Sequence, residues 1–101
     1  MLESNEDTQN YTLYPAPLSG TRARALELIK DLPQDLSNST VTVDATDMRV
    51  YAQCFTDELC KQLLTVRNAS CVEFIALSAQ SVERVVSSAS RYEVSDRVRF
   101  V

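Results

Sequence analysis

Apolar residues along this chain follow two spacings, one helical and one extended, and the two alternate. Residues 21–32 place Ala25, Leu26, Leu28, Ile29 and Leu32 three and four apart, which predicts a helix with one apolar face. Arg22, Arg24, Glu27, Lys30 and Asp31 fall mostly on its solvent side, and Pro33 marks its stop. A second helix is predicted over residues 54–66. Phe55, Leu59, Leu63 and Val66 form its stripe, with Cys60 and Leu64 beside it. Asp57 and Lys61 lie four apart on the opposite side, as a weak surface pair would. Ser78 is a good N-cap for a third helix over 79–90, with Val82, Val85, Val86 and Ala89 as its stripe.

Extended runs separate the helices. Residues 40–44, a β-branched run ending on Asp44, read as a strand, and 71–77 is nearly all apolar, as a strand covered on both faces would be. Residues 97–101 alternate Val98 and Phe100 against Arg97 and Arg99. Residues 11–14 predict a short first strand, stopped by Pro15 and Pro17. Residues 1–10 are polar and acidic and predict a flexible tail. The remaining residues, 11–101, then form one α/β domain with the order (β)αβαβαβ. Helical crossovers of this length build parallel strand pairs with right-handed connections. The expected architecture is a small, mostly parallel sheet covered by helices on at least one face.

Composition narrows the function classes. The chain has 101 residues with 45% hydrophobic content, enough for a single modest core. One glycine argues against an all-β barrel or sandwich, whose tight turns need more. A net charge of −4 argues against a nucleic-acid binder, which needs cationic surface to displace counterions. There is no histidine, so the commonest general base and metal ligand is missing and no Ser/His or Cys/His pair can form. A phosphate-cradling loop rich in glycine is equally out of reach. Three cysteines, Cys54, Cys60 and Cys71, form an odd set without C-x-x-C spacing and read as free thiols in a reducing cytosol. No apolar stretch approaches the roughly 18 residues of a membrane span, so the expectation is a cytoplasmic protein that needs no membrane.

What chemistry remains gathers after the 40–44 strand, where open α/β sheets present their binding surface. Asp44, Asp47, Asp57 and Glu58 surround one loop and could offer oxygen ligands to Mg²⁺; the plainer reading is that Asp44 holds a bend and the others are solvated. Cys54 stands near a helix N-terminus, a position that favours thiolate, and is a candidate redox or switch position; as a small packing residue it needs no such role. Met48 and Tyr51 are large loop residues of the kind that favour protein contacts, although either could fold back on the core.

Val41-Thr42-Val43-Asp44-Ala45-Thr46-Asp47-Met48, followed by Cys54-Phe55-Thr56-Asp57-Glu58-Leu59, resembles the STAS-like domains of unknown function of bacterial and phage proteins. Those carry a strand ending in aspartate, a short loop and a helix that starts Ser-Phe-Ala-Asp-Glu-Leu or similar. The upstream Ser19-Gly20-Thr21-Arg22-Ala23-Arg24-Ala25 looks like the arginine-bearing helix that precedes this strand in that group. The likeness covers residues 19–101. It implies an α/β fold, no enzymatic activity and no cofactor. It also implies a regulatory module that docks a protein partner such as a kinase-like ATPase, as the related anti-sigma factor antagonists do. Those are controlled by phosphorylation of a serine at the helix start. Cys54 stands where that serine would be, so the phosphoserine switch is expected to be missing. The expected partner-binding surface is Met48, Arg49, Tyr51, Gln53, Asp57 and Glu58. A phage or mobile-element inhibitor that binds a host enzyme is the alternative. The protein could be a monomer or a homodimer, the latter through an exposed C-terminal strand.

Overall fold

The computed structural model describes residues 9–48 and 50–101; at residues 18, 19, 50 and 51 it describes the backbone alone. The chain runs through β1 (Gln9–Leu13), β2 (Leu18–Ser19), α1 (Arg22–Ile29), β3 (Ser39–Asp44) and β4 (Val50–Tyr51). It continues through α2 (Gln53–Cys60), which passes directly into a π-helical segment (Lys61–Val66), and then β5 (Cys71–Ile75) and α3 (Ala79–Arg91). A 3-10 turn (Ser95–Arg97) leads into β6 (Val98–Phe100). The α/β class expected from the alternating pattern is the one found. β1 begins at Gln9, so Gln9 and Asn10 pair with Ser39 and Thr40 although they fall in the stretch expected as tail. The rest of that tail lies outside the described residues.

Four strands form one sheet in the order β1-β3-β5-β6, every pair parallel. Each strand therefore lies beside its predecessor. Right-handed crossovers that always step the same way lay all their helices on one face. Burial agrees. Tyr11, Val41, Val72 and Val98 stand in one row across the sheet, and Leu13, Val43, Phe74 and Phe100 in the next. Apart from Phe100 at the sheet edge, which is 41% exposed, these rows meet Ala25 and Ile29 of α1, Phe55 and Leu59 of α2, and Val85 and Ala89 of α3 in a single core. Phe74 and Phe100 stack with ring centroids 6.0 Å apart. The opposite rows are mostly polar. Thr42 Oγ1 donates to Glu73 Oε1 at 3.3 Å, and Arg99 pairs with Glu73 at 2.8 Å. The apolar run at 71–77 is thus covered on one face only: β5 stops at Ile75, and Cys71, Glu73 and Ile75 are half-buried on the other side.

Two apolar stripes are rotated from where even spacing puts them. In α1, Ala25 and Ile29 are buried while Leu26 is 45% exposed. At the end of α2, Leu63 and Leu64 are buried but Val66 is 54% exposed. For Val66 the cause is the π-helical segment. Its bonds span one residue more, as from Arg67 N–H to Gln62 O at 2.9 Å, so each residue turns the chain by less. The step from Leu63 to Val66 then no longer returns to the core. In α3, Val85 and Ala89 are buried beside Ser88, and Val86 is half exposed.

The helix ends follow a pattern. Thr21 accepts the Arg24 N–H at 3.1 Å and Ser78 accepts the Ser81 N–H at 3.2 Å, both as N-caps. At the C-terminal ends, two arginines reach back from later connections. Buried Arg67 donates through Nη1 to the carbonyls of Ile29, Leu32 and Pro33 at 3.1, 2.9 and 3.3 Å, closing α1. Arg97 donates to Leu64 O at 2.9 Å and Ala69 O at 2.8 Å, closing α2. Cations suit these ends, where unpaired carbonyls concentrate negative charge. α3 closes on itself: Val94 N–H returns to Ala89 O at 2.8 Å, with Glu93 in the left-handed region at φ 58°.

Two outcomes follow from these ends. Replacing Arg67 by Met keeps the aliphatic stem but takes the guanidinium donor from three carbonyls, of which Ile29 O keeps the Leu32 N–H, and should lower unfolding free energy by about 2–4 kcal/mol; denaturant titration measures it, and a loss within experimental error would contradict the capping role. Glu93→Gly relieves a left-handed side chain and should raise stability by about 0.5–1 kcal/mol; a lower denaturation midpoint would contradict it.

Candidate functional site

β1, β3 and β5 all deliver their carboxyl ends to the same edge, so three loops meet there. The loop after β3 is built by Asp44. Its Oδ1 accepts the Thr46 N–H at 3.0 Å and the Thr46 hydroxyl at 2.5 Å, and Met48 N–H closes the turn on Ala45 O at 3.0 Å. These Thr46 bonds, side chain first, hold the Asp44 carboxyl below the usual aspartate range. Asp44 is occupied in shaping the loop. Beyond the turn, β4 pairs in parallel with β2, joining the loops after β3 and β1 above the sheet.

A crevice of about 590 Å³ lies between residues 14–17 and 46–48. Tyr14, 67% exposed, stands on one wall, and Asp47 and Met48 on the other. A smaller hollow of about 170 Å³ continues from Met48 to residues 76–78 and Ser81. Met48 lines both and packs its remainder against the core. Ala76, at the end of β5, has φ 63°, a left-handed backbone uncommon outside glycine. Among the described residues, no hydrogen bond or ion pair reaches the Asp47 carboxylate.

The other expected site residues are placed differently. Asp57 and Glu58 are buried, 3% and 7% exposed. Asp57 Oδ1 accepts the Ser88 hydroxyl at 2.5 Å, and its Oδ2 accepts Arg91 Nη1 at 2.6 Å; both partners lie on α3. Gln53 Nε2 bridges to Ser88 Oγ at 2.8 Å and Arg84 O at 3.1 Å. Glu58 accepts Arg22 Nη1 of α1 at 3.1 Å and Gln62 Nε2 at 2.7 Å. Gln53, Asp57 and Glu58 therefore bind neighbouring helices. The expected Asp57–Lys61 surface pair gives way to Asp57–Arg91 because Asp57 faces α3. Cys54 Sγ donates to Gly20 O at 3.2 Å, tying the start of α2 to the residue before the N-cap of α1. Thr56 is fully buried with its hydroxyl on Ala52 O. The Arg49 position and the Tyr51 side chain lie outside the described residues.

The carboxylates imagined as Mg²⁺ ligands do not come together. Among the described residues, no three His, Cys, Asp or Glu side chains are placed to hold a metal. All three cysteines are free, and burial pushes the Cys60 thiol up to about 12, which makes it inert. No helix of the described residues is long and apolar enough to cross a membrane.

Sequence reasoning missed Ser88 and Tyr14. Ser88 had a signal, a polar residue three after Val85 within an apolar stripe. Tyr14 had a weaker one, an aromatic between a strand end and a proline. No family model, curated protein or solved structure matches the chain.

Burial alone pushes the Asp57 carboxyl up; the bonds from Ser88 and Gln53 and the charges of Arg91 and Arg22 outweigh it and leave the group below the usual aspartate range. Glu58 is held low first by its bond from Gln62, then, against burial, by Arg22 and Lys61. Depressed carboxyls stabilise the fold fully above their unfolded values, about 3.9 for Asp and about 4.3 for Glu. That contribution is lost as pH falls through the lower folded values. Urea midpoints should therefore be level above about pH 5 and fall steeply below about pH 4. Asp57→Asn should cost about 1–3 kcal/mol at neutral pH and flatten the acid fall, because either Arg91 or the Ser88 and Gln53 donors then face an amide NH₂. An unchanged acid profile in that variant would remove Asp57 from the account.

Proposed function

We propose that this chain is a non-enzymatic interaction module that resembles STAS-like domains and docks a protein partner along the carboxyl-terminal edge of its sheet. The observation that supports this most is the division of labour around β3. The polar groups at the start of α2 are consumed within the fold, while the crevice beside Met48 keeps an exposed tyrosine and a carboxylate facing outward. Crevices beyond the carboxyl ends of parallel strands are the usual ligand position in open α/β sheets. Exposed aromatics and methionine favour protein contact. The class of partner to which the resemblance points is a kinase-like ATPase. Regulation by phosphoserine at the start of α2 is not part of the reading: Cys54 stands at that place, and the neighbouring Thr56 hydroxyl is buried and bonded.

Ala16 is exposed on the crevice wall, so Ala16→Trp plugs the site without entering the core. Affinity capture from the source organism should recover a partner with the native chain and lose it with Ala16→Trp. The same proteins recovered with both would overturn docking at this edge.

A further inference from the structure

The chemistry of the crevice lining narrows what it can accept. Residues 14–17 contribute a tyrosine ring, an alanine and two prolines, and residues 46–48 a threonine, a carboxylate and a thioether. The Thr46 hydroxyl is already given to Asp44. Asp47 is then the one carboxylate among the lining residues, no basic side chain lines the crevice among the described residues, and the chain as a whole carries −4. A phosphate or carboxylate ligand would meet the Asp47 carboxylate with no cation among the described lining residues to offset it. A cation meets the reverse. Among cationic groups, guanidinium fits best: it is planar, more weakly hydrated than ammonium, stacks on aromatic faces and pairs with carboxylate through two parallel N–H bonds. Tyr14 presents the ring and Asp47 the carboxylate, while Met48 and the prolines offer apolar surface for the aliphatic stem. A volume of about 590 Å³ exceeds what one side chain fills, which suits an extended segment anchored by that side chain.

We propose that the crevice between residues 14–17 and 46–48 seats an arginine side chain carried by an extended segment of a protein partner. The inference rests on the docking reading above and specifies the partner's chemistry. Pro15 and Pro17 restrict the chain on either side of Ala16, so the wall that carries Tyr14 is ordered before binding. Arg24 lines a separate hollow with Tyr14, Pro15, Ala16 and Glu27, and is not among the residues that line the crevice beside Asp47.

A displayed library of short random peptides, selected on the full-length chain, supplies the probe. Selected peptides should share an arginine, and fluorescence polarisation with the synthetic peptides should show binding. Arginine→citrulline in the peptide keeps the shape and removes the charge, and should weaken binding about tenfold or more. Asp47→Asn and Tyr14→Ala should each do the same, while Tyr14→Phe, which keeps the ring face, should bind within about twofold of native. Asp96→Asn, an acid away from the crevice, should change nothing. Tyr14 and Asp47 are exposed, and thermal melts check that their variants fold. Selected peptides without arginine, or binding that survives Asp47→Asn, would overturn the proposal. If Ala16→Trp abolishes binding while Asp47→Asn spares it, the docking reading stands and the arginine inference falls. If Ala16→Trp also leaves binding intact, both fall.

Discussion

Two neighbouring carboxylates hold the middle helix of a three-helix layer. The sequential order of a parallel sheet puts α1, α2 and α3 side by side on one face, so α2 must meet a partner on each flank. Successive residues of a helix point in directions about a third of a turn apart. Asp57 thus reaches α3, where Ser88 and Arg91 meet it with Gln53 of its own helix alongside, and Glu58 reaches α1, where Arg22 answers it. Burying two charges is costly unless each is met by several donors, and here each is. The core beneath them, Phe55 and Leu59 against Val43 and Phe74, depends on α2 keeping that orientation.

This arrangement also decides where the protein can act. Were Asp57 and Glu58 on the surface, the start of α2 would be a polar docking site. With them turned inward, outward-facing chemistry shifts by one loop, to the turn that Asp44 shapes and the tyrosine wall opposite. The β2–β4 pairing joins these two loops, so the crevice is framed by backbone bonds as well as by side-chain packing.

The fold was legible to the extent that it rests on local pattern. Three helices, the N-cap at Ser78, and the strand–helix alternation follow from spacing and composition. What could not be read was long-range. The two-residue strands β2 and β4 are too short to carry a period and exist because their partner exists. Val66 turned outward because the helix widened, which spacing alone does not announce. Acidic residues are seldom buried, so Asp57 and Glu58 read as solvated until Arg91, Ser88 and Arg22 are brought beside them from over thirty residues away. The position of the candidate site was legible in part: Met48 and the loop after Asp44 were, whereas Tyr14, contributed by another strand end, was not.

The two arginines that reach backward give the layer a direction. Arg67 follows α2 yet completes α1, and Arg97 follows α3 yet completes α2. α1 and α2 are thus each finished by the unit after them, like courses of overlapping tile. An amino-terminal fragment ending after α1 would keep its hydrophobic stripe but not its last carbonyl partners, and one ending before Arg97 would leave α2 in the same condition. Cooperativity in this small domain is thereby written into hydrogen bonds between non-adjacent segments as well as into the shared core, and the βα units are not interchangeable modules that could be detached one at a time.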